Sequence, residues 1–93
     1  MITENSRVPE HLYKLLNLTT ASLFMRYGYL QPFVIKTYNK GIQHLGDLVQ
    51  MSEDDVFKAA PTSPKNRALI KKELADDGLA FGMSAPGWQK PAP

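Results

Sequence analysis

Residues 58–72 carry the pattern with the clearest chemical meaning in this sequence. The segment has no acidic residue and six lysine, arginine or asparagine side chains that can donate hydrogen bonds to an anion, namely Lys58, Lys65, Asn66, Arg67, Lys71 and Lys72. Ser63 is a suitable helix cap and Pro64 a suitable first helical residue, so a helix is predicted to begin here. Unpaired N–H groups at the start of a helix attract phosphate. The segment therefore predicts a phosphate-binding helix end, and a capped surface helix with a solvated basic face is the alternative.

An acidic cluster precedes this segment. Ser52 and Asp55 have the spacing of a capping box in which Asp replaces the usual Glu or Gln, and Glu53 and Asp54 lie between them. Negative charge at the start of a helix complements the helix dipole, so capping alone accounts for Asp55. The same charges would repel DNA. The cluster is therefore predicted to face away from nucleic acid, or to contact a basic partner.

The first half of the chain contains three predicted helices. They cover residues 9–16, residues 19–28, which Gly28 ends, and residues 32–41. The β-branched and aromatic residues in the third leave a strand over 29–38 as the alternative. Helical spacing and apolar neighbours predict core packing for the aromatic residues Phe24, Tyr27, Tyr29, Phe33 and Tyr38.

The second half has clearer signals for helix starts and stops. A one-turn helix is predicted at 47–50, with its apolar residues packed inward, and further helices begin at Ser52 and at Ser63. Gly78 suits the left-handed residue that closes the last of these. The fold class is therefore all-α, with short helices and short connections.

The chain divides into three regions on this basis. Residues 1–8 are predicted to be a flexible N-terminus, and residues 9–84 a single helical domain. Residues 85–93 are predicted to be a proline-rich tail that Trp88 anchors. A chain of 93 residues has room for one small core and little room for an enclosed active site.

Composition excludes several classes of function. The net charge of +2 argues against a general polycation, so any contact with nucleic acid requires local placement of charge. The absence of cysteine excludes disulfides and thiolate zinc sites and predicts a reducing, cytoplasmic compartment. His11 and His44 are too far apart in sequence to predict a metal site. No motif for a catalytic nucleophile or a phosphate loop occurs, and no apolar run is long enough to cross a membrane. We expect a non-enzymatic protein without a cofactor.

The segment from Gly41 to Trp88, about half of the chain, resembles a known family. It contains a Gly-Asp-Leu-Val-Gln string at 46–50, a Gly-Leu-Ala-Phe-Gly-Met string at 78–83 and the trailing Trp88, and the match runs without a gap. These residues are similar to the C-terminal domain of the bacterial RNA polymerase α subunit. The resemblance implies a compact bundle of short helices with helix-hairpin-helix-like elements. It also implies weak binding to the backbone and minor groove of A·T-rich DNA, and contact with transcription regulators.

The resemblance assigns DNA contacts to two parts of the sequence. One is residues 63–66, where Lys65 matches a lysine of the family, and Lys58 matches another basic position near the DNA. Ser63 replaces a glycine of the family and Pro64 removes a backbone N–H, which alters the phosphate-binding turn. Arg67 stands where the family packs an apolar residue.

The other part departs from the family. The family's first helix carries an Arg and an Asn that reach into the minor groove, and the ungapped register puts Pro32 and Ile35 there. Neither residue can neutralise a phosphate or read a base. A shifted register, or Arg26 in the helix before, could supply a replacement cation.

The family's regulators contact two regions that map onto residues 52–55 and 82–84. The predicted protein-contact residues are Ser52, Glu53, Asp54, Asp55, Gly82 and Ser84. Two hypotheses follow. The chain binds DNA through phosphates, or it contacts RNA polymerase or a transcription regulator on the same scaffold without binding DNA. A structural role unrelated to transcription is a third interpretation, and burial of the aromatic first half in a homodimer is open.

Overall fold

Short helices joined by tight connections make up the computed structural model, which describes residues 7–91. A 3-10 turn at Glu10–Leu12 runs into α1 (Tyr13–Leu16), and a second at Gly28–Leu30 runs into α3 (Gln31–Asn39). The remaining helices are α2 (Thr20–Phe24), α4 (Leu45–Val49), α5 (Glu53–Ala59) and α6 (Pro64–Asp76). The described residues form no strand, only two isolated bridges. The all-α prediction is confirmed, and the alternative of a strand over 29–38 is wrong.

Side-chain caps start three of the helices. The Oγ atoms of Ser52 and Ser63 accept hydrogen bonds from the backbone N–H groups three residues later, at 3.1 and 3.2 Å. Thr19 caps α2 in the same way, at 3.1 Å. Gly78 has a φ of 80° after α6, as its position predicted. Gly28 does not end α2, because that helix stops at Phe24 and Gly28 instead begins the 3-10 turn.

Aromatic rings form the centre of the core and link successive helices. The ring centroid of Phe33 in α3 lies 6.0 Å from that of Phe24 in α2 and 6.0 Å from that of Phe57 in α5. Phe57 in turn lies 5.5 Å from Phe81, in the turn after α6. Leu48 and Leu74 are fully buried around these rings. The core therefore joins both halves of the chain.

Two of the aromatic residues predicted to pack in the core, Tyr29 and Tyr38, are exposed instead, and so is Ile35. Tyr29, Ile35 and Tyr38 expose 58%, 56% and 61% of their surface. α3 packs against the core through a stripe of Phe33, Val34 and Thr37, and Ile35 and Tyr38 lie off that stripe. The prediction of core packing therefore holds for Phe24 and Phe33 but is wrong for Tyr29 and Tyr38, while Tyr27 is half-buried.

The tail packs against the start of the chain. The indole N–H of Trp88 donates to Asn17 Oδ1 at 3.0 Å, and its ring fills the space that a Cβ atom on Gly46 would occupy. Val8 is buried, and its N–H donates to the carbonyl of Ser84 at 2.9 Å. Residues 1–6 of the predicted flexible N-terminus lie outside the described residues.

The helices are short throughout the described part of the chain. The longest, α6, has 13 residues, whereas a helix needs about 20 apolar residues to span a bilayer. Within residues 7–91, no helix is long and apolar enough to cross a membrane.

Candidate nucleic-acid interface

Four cationic side chains surround the connection between α5 and α6. Lys58 lies in the last turn of α5, and Lys65 and Arg67 lie in the first turn of α6. Lys36, on α3, donates from Nζ to the carbonyl of Pro61 at 3.3 Å, which places it at the same connection. None of the four has an acidic partner among residues 7–91. We call these four side chains the basic surface.

The start of α6 offers little unpaired backbone. Pro64 has no N–H, and the N–H of Asn66 is bonded to Ser63 Oγ. The N–H of Arg67 already makes the first helical bond, to the carbonyl of Ser63 at 2.9 Å. Only the N–H of Lys65 remains in this turn for an anion. The lysine and arginine side chains, and not a backbone cradle, must therefore supply most of any phosphate contact.

The side chain of Asn66 is used inside the protein. Its Nδ2 donates to Thr62 Oγ1 at 3.3 Å and to the carbonyl of Tyr29 at 3.4 Å. An amide nitrogen has two N–H groups, so both are occupied. Asn66 therefore connects the start of α6 to the 3-10 turn before α3, and it is not placed to donate to phosphate.

The guanidinium of Arg67 makes contacts within the protein through some of its atoms and leaves its terminal amino groups for a ligand. Its Nε donates to the carbonyl of Thr62 at 3.2 Å, and its guanidinium lies 5.0 Å from the centroid of the Phe57 ring. The planar group thus covers the edge of the core beside Phe57. Arginine has five N–H donors, and the two terminal amino groups make no hydrogen bond within residues 7–91.

The second half of α6 differs, because acids neutralise its cations. Lys71 pairs with Glu53 at 2.8 Å, and Lys72 pairs with Asp76 at 2.9 Å. The hydrogen bond that Lys72 donates to Asp76 is the main cause that raises the pKa of Lys72. Two of the six anion donors expected from the sequence are therefore paired.

Arg26 is paired as well. Its guanidinium donates to Glu73 Oε2 at 2.8 Å, and the hydroxyl of Tyr27 donates to Glu73 Oε1. The negative charge of the Glu73 carboxylate raises the pKa of Arg26. The hydrogen bond that the Tyr27 hydroxyl donates to Glu73 raises the pKa of Tyr27. Glu73 is buried, which sequence reasoning missed because its partners lie 46 and 47 residues away. Arg26 is therefore held by a buried acid in this structure.

The outer side of α3 carries no cation or amide at the two positions that the resemblance aligns with a minor-groove pair. Pro32 and Ile35 are both exposed there. The adjacent Lys36 supplies the cation that this helix brings to the basic surface. Sequence reasoning missed Lys36, although a lysine next to two exposed positions of a predicted helix was a usable signal.

An apolar groove brings together some of the predicted protein-contact residues. It has a volume of about 690 Å³ and lies between the start of α5, the outer side of α6 and the turn after it. It is lined by Ser52, Glu53, Ala68, Lys71, Lys72, Leu74, Ala75, Leu79, Ala80, Phe81 and Gly82. Asp54 and Asp55 are exposed outside the groove, and the backbone of Ser84 holds Val8.

A smaller cavity of about 280 Å³ lies between α2 and α3. Tyr38 and His44 are among its lining residues, and His44 Nδ1 is buried without a hydrogen-bond partner among residues 7–91. Asp47 Oδ2 is 3.7 Å from that nitrogen. Within residues 7–91, no three side chains of the metal-binding types lie close enough together to hold an ion.

No protein-family model matches this chain. The resemblance to the RNA polymerase α C-terminal domain therefore stays a prediction that depends on residues 41–88. The two features of the structure that bear on function are the basic surface and the apolar groove.

Proposed function

We propose that this protein is a non-enzymatic, cytoplasmic component of bacterial transcription that binds DNA through its phosphates. The observation that carries the proposal is the basic surface, where α3, α5 and α6 each supply a cation without an acidic partner in the described chain. On this proposal the helices around the connection form the helix-hairpin-helix-like scaffold of the polymerase domain that residues 41–88 resemble.

Binding of this kind is electrostatic and weakly selective. Each phosphate that a lysine or arginine neutralises releases counterions and adds about 0.9 to the slope of log K against log salt. Pro32 and Ile35 cannot read bases, so base-edge contacts contribute nothing at that helix. A preference for A·T-rich DNA then comes from its narrow minor groove, where the concentrated negative potential attracts cations.

The test compares two pairs of substitutions on one helix. Lys65→Ala with Arg67→Ala removes two cations from the basic surface, and Lys71→Ala with Lys72→Ala removes two cations that acids already pair. Fluorescence anisotropy with a short A·T-rich duplex at several salt concentrations measures both. The first pair should weaken binding for all sequences and flatten the salt slope by about one to two units. Equal effects of the two pairs would refute the assignment.

The apolar groove supports a second candidate function, contact with RNA polymerase or a transcription regulator. The specific observation is that Gly82 lines one groove with apolar walls together with Ser52 and Glu53, which are distant from it in sequence. Ala75→Trp places a large side chain in the groove without touching the basic surface. Loss of capture by purified polymerase or regulator, with DNA affinity unchanged, would favour this function. Retained capture would exclude the groove.

A further inference from the structure

Tyr29 is an exposed aromatic residue that the core does not use. It exposes 58% of its surface, although its neighbour Leu30 is fully buried and holds the 3-10 turn in place. Its ring centroid lies 5.8 Å from that of Tyr27, with the planes inclined by 41°. The ring is therefore supported on one side by the protein and open to solvent over much of its surface.

The backbone of Tyr29 is tied to the start of α6. Its carbonyl accepts a hydrogen bond from Asn66 Nδ2 at 3.4 Å, and Asn66 lies between Lys65 and Arg67 in sequence. The tyrosine thus stands beside the basic surface at a position that a side-chain hydrogen bond fixes. Tyr27 is held in turn by its hydroxyl contact with Glu73 and by the guanidinium of Arg26, 5.2 Å from its centroid.

An exposed ring next to unpaired cations matches the chemistry of single-stranded nucleic acid. Cations hold the phosphates, while an aromatic face stacks on a base and tolerates any sequence, since every base has a π-face. Base pairs within a duplex already stack on their neighbours, so this contact requires an unpaired base. We propose that Tyr29 is a stacking platform for an unpaired base of a single strand whose phosphates contact the basic surface. This inference rests on the proposed function for the phosphate contacts and adds the base contact.

Tyr38 provides a matched control. It exposes 61% of its surface, close to the value for Tyr29. It borders the cavity between α2 and α3, and no hydrogen bond links it to α6 within residues 7–91. Tyr29→Leu and Tyr38→Leu therefore remove the same chemical group at equal exposure, and only the first removes it beside the basic surface.

Two probes separate base stacking from phosphate binding. They are a fluorescently labelled 12-mer of thymidylate and an abasic strand with the same phosphates and no bases. Wild type should bind the thymidylate strand more tightly than the abasic strand. Tyr29→Leu should weaken thymidylate binding by about 5- to 100-fold and leave abasic binding unchanged, whereas Tyr38→Leu should change neither. Equal affinity of the wild type for both strands would overturn the stacking platform, as would equal losses in the two leucine variants.

Further variants keep the two proposals distinguishable and guard against a folding defect. Lys65→Ala with Arg67→Ala should weaken binding of both strands, and failure to do so would refute the phosphate contacts themselves. Tyr29→Trp keeps an aromatic platform, so it should retain thymidylate affinity, and thymidylate should quench its fluorescence after subtraction of the Trp88 signal of the wild type. Retained affinity without quenching, or loss of affinity in a folded Tyr29→Trp protein, would contradict the stacking role.

Discussion

At the start of α6, Lys65 and Arg67 have no acidic partner among residues 7–91, whereas farther along the same helix Lys71 and Lys72 are each held by a carboxylate at 2.8 or 2.9 Å. The two regions have equal basic content in the sequence. They differ in the acids that the fold brings to them. Pairing, and not the number of lysines, therefore decides how much positive charge a phosphate meets.

The same contrast extends to the neighbouring elements. Lys36 and Lys58 approach the start of α6 from α3 and α5 without acids, and the buried Glu73 holds Arg26 against the later turns. The start of α6 therefore remains cationic. In the later turns acids pair the lysines and an apolar groove is present, which suits a protein partner better than a phosphate backbone.

The largest expected effect concerns the core residue that supports the start of α6. Phe57 is 5% exposed, contacts Phe33 and Phe81, and lies under the guanidinium of Arg67. Phe57→Ala should lower the free energy of unfolding by about 3–5 kcal/mol, because it opens a cavity among these rings. Urea unfolding measures this loss. Phe81→Ala is the control on the groove side, where the ring is half-buried. A loss of stability in that variant as large as in Phe57→Ala would contradict the role of Phe57 as the core residue that supports the start of α6.

A smaller loss is expected when the buried acid is removed. Glu73→Ala eliminates the acceptor of hydrogen bonds from Arg26 and Tyr27. It should lower the free energy of unfolding by about 1.5–3 kcal/mol, the usual net contribution of hydrogen bonds to a charged group. Glu53→Ala breaks an exposed ion pair and should cost at most about 1 kcal/mol. Equal unfolding midpoints of the two variants in urea would mean that the hydrogen bonds from Arg26 and Tyr27 to Glu73 stabilise the fold no more than the exposed ion pair does.

Removing the acids that pair Lys71 and Lys72 should make the later turns of α6 bind phosphate as its start does. Glu53→Gln with Asp76→Asn frees Lys71 and Lys72, so the slope of log K against log salt for DNA should steepen by about one to two units. Asp54→Asn with Asp77→Asn makes the same change in net charge, yet neither aspartate pairs a lysine within residues 7–91. Equal slopes for the two double variants would mean that net charge, and not pairing, controls binding.

The smallest effect is a dependence of stability on alkaline pH. The hydrogen bond to Glu73 raises the pKa of Tyr27 above its ordinary value of 10.0. A raised folded pKa contributes stability at pH below the unfolded value, and that stability is lost as pH rises through the folded value. The midpoint temperature of thermal unfolding should therefore fall more steeply above about pH 10 in the wild type than in Tyr27→Phe. Parallel pH profiles would contradict a native hydrogen bond from the Tyr27 hydroxyl.

The helix starts could be predicted from local chemistry. Ser52 and Ser63 are each followed by residues compatible with a first helical turn, and a cap involves only atoms within three residues. Gly78 was predictable for the same reason, since a left-handed residue after a helix favours glycine. These features need no knowledge of the rest of the fold.

The pairing of charges could not be predicted in this way. Glu73 meets Arg26 and Tyr27 across 46 to 47 residues, and Glu53 meets Lys71 across the α5–α6 connection. Tyr29 and Phe33 both looked like core residues, because aromatic type and spacing are similar at the two positions. Only the direction in which the 3-10 turn and α3 present their side chains to the core separates the exposed ring of Tyr29 from the buried ring of Phe33.

The most direct test is an amide-resolved NMR titration of the 93-residue chain with a short A·T-rich duplex, at about 50 and about 200 mM salt. Phosphate binding at the basic surface predicts chemical-shift changes at the amides of Lys58, Ser63 and residues 65–67 that shrink at the higher salt. The amides that line the apolar groove, around Glu53 and Gly82, should not shift. The absence of any shift at low salt, or shifts confined to the groove, would contradict the proposal that this protein binds DNA through the start of α6.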